Sequence, residues 1–103
     1  MEAKDNNIWG VGTDVDHYYS FPEVSDFMLT TAEKRLGTAI YDVVKSTTNN
    51  SFDGGTTYHG NLENSGVGIA SYHNADPLIA DSIKTKIENI KSGIVDGSIS
   101  SGW

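Results

Sequence analysis

Ile8-Trp9-Gly10-Val11-Gly12-Thr13-Asp14-Val15-Asp16-His17 changes character halfway along: an apolar, β-branched run with two glycines gives way abruptly to alternating acids and a histidine. Length and composition predict a buried strand whose carboxyl end opens into a polar loop. In open α/β sheets, ligands gather at the carboxyl ends of strands. The loop continues through Tyr18, Tyr19, Ser20, Phe21 and Pro22, and rings of that size at a turn are expected to pack on something.

Outward from that stretch, Phe27-Met28-Leu29 leads into Thr30-Thr31-Ala32-Glu33, where a Thr followed three residues later by Glu has the form of a capping box. A helix is predicted from Thr30. Leu36, Ala39, Ile40, Val43 and Val44 then share one helical face, and the pattern stops in the polar run 46–50. Thr56-Thr57-Tyr58-His59-Gly60 and Val67-Gly68-Ile69-Ala70 read as two short strands around the turn Asn64-Ser65-Gly66. Asp76-Pro77 predicts an N-cap and first helical position. Ile79, Ile83, Ile87, Ile90 and Ile94 continue that second helix to about Val95, with Gly97 as its stop. Ser98 to Trp103 reads as a tail.

Composition bounds the possibilities. With 103 residues there is room for one domain at most, burying roughly 60–65% of the surface of its unfolded chain. The chain has no cysteine, which excludes disulfides, thiolate metal sites and cysteine nucleophiles. Its net charge of −7 argues against a sequence-independent nucleic-acid binder. Nearly all the excess is in residues 1–33, where seven acids face one base. No run approaches the ~20 apolar residues of a membrane span, and the polar start is no signal peptide, so any export signal lies elsewhere.

Asp14-x-Asp16 at a strand end is the sharpest chemical feature. It suits a hard-cation site with Glu23 and Asp26, a phosphatase-type nucleophile and acid, a hydrogen-bonding group for a hydroxylated ligand, or an Asx-turn that only solvates the loop. Lys34 falls in the first turn of the predicted helix, where a cation opposes the macrodipole, so a second requirement is indicated. It is either an exposed lysine paired with Glu33 or Asp26, or a donor facing a cleft shared with Asp14, an arrangement that suits vicinal hydroxyls. Gly10-x-Gly12 lacks the third glycine of a dinucleotide fingerprint. His17, His59 and His73 lack metal-ligand spacing and read as surface or strand residues, and no catalytic triad assembles.

Four blocks, 9–17, 29–35, 39–44 and 66–70, resemble in order the carboxyl-terminal part of the BMP (basic membrane protein) family, the purine-nucleoside-receptor-like substrate-binding lipoproteins of ABC transporters. The resemblance covers roughly residues 8–97. It implies part of a type I periplasmic-binding-protein fold, α/β and Rossmann-like, with short strands and two long helices. Residues 8–29 would hold a second-lobe strand and ligand loop, 30–97 the hinge crossover, helices and short strands, and 98–103 the tail. By the same resemblance Asp14 contacts ribose hydroxyls, Lys34 helps hold the sugar with Thr31 in the place of the usual Ser, and Asp16 braces the loop. His17 stands where the family has Gln.

The function so implied is non-enzymatic capture of a purine nucleoside or similar solute for an ABC transporter permease, at the cell envelope as a lipoprotein, without cofactor or metal. An acidic cleft wall favours an uncharged nucleoside over a nucleotide. A small-molecule-sensing regulator of the same fold and a magnesium-dependent phosphatase using Asp14 and Asp16 are the alternatives. A complete family member is much longer, so apolar faces left bare here are expected to be covered by the rest of the parent protein or by self-association.

Overall fold

The computed structural model describes residues 5–102. In chain order it contains β1 (Gly10–Asp14), a one-turn helix α1 (His17–Ser20), a 3-10 segment Pro22–Phe27, β2 (Met28–Lys34), α2 (Leu36–Thr48), β3 (Val67–Ile69), a 3-10 segment His73–Leu78 and α3 (Asp81–Asp96). The chain is mixed α/β, with short strands and two long helices as expected.

The sheet has the order β1-β2-β3, with β1 parallel and β3 antiparallel to the central β2. A parallel pair needs a crossover of about a dozen residues or more. Here α1 and the first 3-10 segment supply it, so the aromatic loop expected after Asp14 is in fact two helical turns.

The largest correction concerns Thr30-Thr31-Ala32-Glu33, which lies in the central strand and opens no helix. Each member of the apparent capping box has another partner. The Thr30 hydroxyl donates to Ala70 O (2.7 Å), Thr31 O accepts from Ala70 N–H, and the Glu33 carboxylate accepts from Arg35. Two adjacent β-branched threonines suit a strand paired on both sides. Helix α2 begins instead at Leu36, after Arg35.

Two further boundaries move. Residues 56–60 form no strand. Around them Asn61 and Asn64 exchange side-chain-to-backbone hydrogen bonds (both 2.9 Å), and Asn64 also accepts from Gly66 N–H and donates to His59 O. These asparagines bond the backbone of His59, Asn61, Asn64 and Gly66, an alternative to strand pairing for that segment. Asp76-Pro77 sits inside the second 3-10 segment, and α3 starts four to five residues later, capped by Ala80 without a side-chain bond. Its predicted stop is observed: Gly97 takes the left-handed conformation (φ 81°) that favours glycine. Beyond it the tail folds back, with Ile99 N–H donating to Gly93 O (2.9 Å); Trp103 lies outside the described residues.

Few side chains are buried among the described residues. The buried apolar residues are Val24, Ala70 and Ala75, beside Thr31, which is 1% exposed. Strand β1 is not the buried strand expected, because Val11 is 61% exposed and Gly12 is its one buried residue. The apolar face of α2 is also open, with Leu36 67% and Ile40 65% exposed. The radius of gyration is 16.6 Å, against about 13 Å for a compact chain of this length.

Candidate functional site

The register of the parallel pair builds the site. Asp14 ends β1 opposite Glu33, and Lys34 ends β2 one residue beyond. Consecutive side chains on β2 alternate between its two faces, and at this end of the sheet Lys34 Nζ reaches Asp14 Oδ1 at 2.9 Å. The hydrogen bond to Asp14, and then its charge, raise the Lys34 pKa above the ordinary lysine value. Both side chains remain open to solvent, 69% for Lys34 and 60% for Asp14. An ion pair so exposed adds little to stability, while the carboxylate keeps unused acceptor sites and the ammonium unused donors.

The pair stands on the wall of a groove of about 930 Å³, whose other sides come from Ala32, Val67 and Ile69 of the sheet, the asparagine-bonded segment 59–62, and Ile94 of α3. Apolar walls with a few convergent polar groups at one end are the usual make-up of a small-molecule site.

Asp16 and Thr31 have different surroundings. Asp16 Oδ1 accepts from Tyr18 N–H (3.1 Å) and caps α1, while Oδ2 is 2.7 Å from His73 Nε2. Thr31 is buried, and its hydroxyl accepts from His17 N–H at 3.1 Å. By strand alternation its side chain lies on the face opposite Lys34. Asp14 and Asp16 therefore point to different partners. Among the described residues no group of three or more His, Asp or Glu side chains could hold a metal ion, so Glu23 and Asp26 do not complete a cation site.

Sequence reasoning passed over His73. Its ring stacks on Tyr18 (centroids 4.0 Å apart, planes 13° from parallel) and meets the edge of Tyr19 at 5.2 Å. Nothing in the sequence joins it to Asp16, which lies in another part of the chain. His59, also read as a strand or surface residue, lines the groove.

The structure thus places an exposed acid and base at one end of an open, part-apolar groove in a mixed α/β sheet. In sequence the chain is similar to the ABC transporter nucleoside-binding protein BmpA of Lactococcus lactis subsp. cremoris (strain MG1363), at 31% identity over 100 residues. The match takes in 91% of this chain and 27% of BmpA, so the chain spans about a quarter of that relative's length. This relative bears out the BMP resemblance carried by the four sequence blocks. No family model matches the chain. Among the described residues no helix is long and apolar enough to cross a membrane.

Proposed function

We propose that this chain is part of a BMP-like solute-binding protein, of type I periplasmic-binding architecture, that captures a purine nucleoside or a similar uncharged, hydroxylated solute for an ABC transporter at the outer face of the membrane. The observation that carries the reading is the Asp14–Lys34 pair, 2.9 Å apart and open to the groove. Vicinal hydroxyls would donate to Asp14 and accept from Lys34 in charge-assisted hydrogen bonds, with the sugar lying along the apolar wall. The similarity to a nucleoside-binding protein supports the same ligand class.

In this reading Asp14 and Lys34 touch the solute, and Asp16 and Thr31 hold the loop and strand that present them. In the same reading the remaining ligand contacts come from other parts of the parent protein. A magnesium phosphatase finds no support in the geometry, because the Asp16 carboxylate is engaged by His73 and Tyr18 N–H.

Calorimetric titration of the complete protein with inosine, adenosine, AMP and ribose tests the proposal. Nucleosides should bind more tightly than AMP, and Asp14→Ala should weaken them by about 1.5–3 kcal/mol, the loss typical of a charged hydrogen bond. Unchanged inosine affinity in that variant would remove Asp14 from the site.

A further inference from the structure

Asp14 sits where the chain leaves the sheet. It has φ 76°, in the left-handed region that a non-glycine residue seldom adopts, and Val15 N–H turns straight back to Thr13 O. Such a conformation persists only where its surroundings over-determine it. On the amino side the parallel register with Ala32 and Glu33 holds it. On the carboxyl side the next fixed point is Asp16, which caps α1. A helix of four residues cannot hold itself in place, since helix nucleation is unfavourable without tertiary support.

That support comes from a distant segment. His73 Nε2 meets Asp16 Oδ2 while the His73 ring covers Tyr18, and the next residue continues the clamp. Asn74 accepts from Tyr18 Oη (3.2 Å) and donates to Asp26 Oδ1 (2.9 Å), so one dipeptide grips both halves of the β1–β2 crossover. Ala75, 1% exposed, seats the segment. His73 itself has φ 44°, a second left-handed non-glycine residue in the same unit.

We propose that His73 is a positioning residue for the solute site: through its bond to Asp16 it fixes the turn that aims the Asp14 carboxylate at Lys34 and the groove. This rests on the reading of Asp14 as the ligand-binding acid, but the link from His73 to Asp14 can be followed without any ligand. A carboxylate at Asp16 requires a hydrogen on His73 Nε2, and the side-chain amide of glutamine offers a donor of similar reach. Phenylalanine retains the ring against Tyr18 and loses the donor.

The test compares His73→Phe, His73→Gln and Asp16→Ser, which keeps a capping oxygen but falls short of His73, with the wild-type chain, following the Lys34 ammonium by NMR pH titration. Because the hydrogen bond to Asp14 raises the Lys34 pKa, the titration reports where the carboxylate sits. His73→Phe should move it back toward the ordinary lysine value, and His73→Gln should restore it. In the complete protein, inosine affinity should fall about two- to tenfold in His73→Phe and recover in His73→Gln, the low end of coupling within a shared network. If His73→Phe does not fold, Asp16→Ser carries the same expectation for Lys34. A Lys34 titration unmoved in a folded His73→Phe or Asp16→Ser variant would overturn the proposal. Wild-type protein that ignores inosine while its Lys34 responds to His73→Phe would sink the ligand assignment and support the link from His73 to Asp14.

Discussion

The two halves of the molecule differ in what holds them. Around Thr31 the strands, the crossover and the second 3-10 segment interlock through hydrogen bonds of side chains, two to backbone, Thr31 to His17 and Thr30 to Ala70, and one between side chains, Asp16 to His73. The long helices have the opposite character. Helix α2 carries an apolar face of Leu36, Ile40 and Val44 that lies open, and α3 stands off β3 across a groove of about 220 Å³ lined by Ile69, Ile87 and Ile90. Polar bonds hold the elements around Thr31, whereas the apolar faces of the helices are left open. The similarity to a protein about three and a half times as long agrees with that division.

The contrast can be broken most sharply at its tight end. A methyl group at Gly12 would sit 2.5 Å from His17 Nδ1 and 2.8 Å from Thr31 Oγ1. Gly12→Ala should therefore cost about 1–3 kcal/mol by overpacking, read as a lowered urea midpoint. Thr31→Val keeps the shape but leaves the His17 N–H without its acceptor, and a loss of about 1–2 kcal/mol in the same experiment is expected. At the loose end, Ile40→Gln and Val44→Gln should each stay within about 0.5 kcal/mol, because there is little burial to lose. A larger loss would show that α2 is packed in solution.

The smallest effects are ionisations at the surface. The Lys34 pKa is raised by Asp14, so the pair's contribution to stability is present below the ordinary lysine value of 10.5 and disappears as pH rises through the higher folded value. Asp14→Asn should flatten that alkaline limb of a stability–pH profile. Tyr58 donates to Asp42 Oδ2 at 2.8 Å, a bond that favours the protonated phenol and raises its pKa above 10.0. Phenolate absorbance should show a step that Asp42→Asn moves to lower pH; a step indifferent to that change would mean the contact is not formed.

Helices with long apolar periodicity were legible in the sequence, since Leu36 to Val44 and Ile83 to Ile94 repeat often enough to average out local exceptions. The Gly97 stop was legible because a left-handed position selects glycine. The strand at Met28–Lys34 was not. Thr30 and Glu33 form a valid local capping pattern, and pairing with β1 and β3, invisible to any local reading, decided otherwise. The site was half legible. Placing Lys34 beside Asp14 was one of two readings the sequence left open, the other being a pair with Glu33 or Asp26, and the reason advanced for Lys34, a helix first turn, was mistaken; it ends a strand. Burial of Thr31 and the bond from His73 to Asp16 depend on tertiary contacts that no spacing rule encodes.

The parallel pairing of β1 with β2 also has a bearing on the order in which the chain folds. Bringing Asp14 beside Lys34 closes only the short crossover, whereas docking β3 on β2 must close the long excursion through α2 and the asparagine-bonded segment. Closure entropy grows with loop length, and non-local pairings form more slowly. The acid and base are expected to meet early, and the far wall of the groove to close over them afterwards. Pulse-labelled amides in β1 should then gain protection before those of β3.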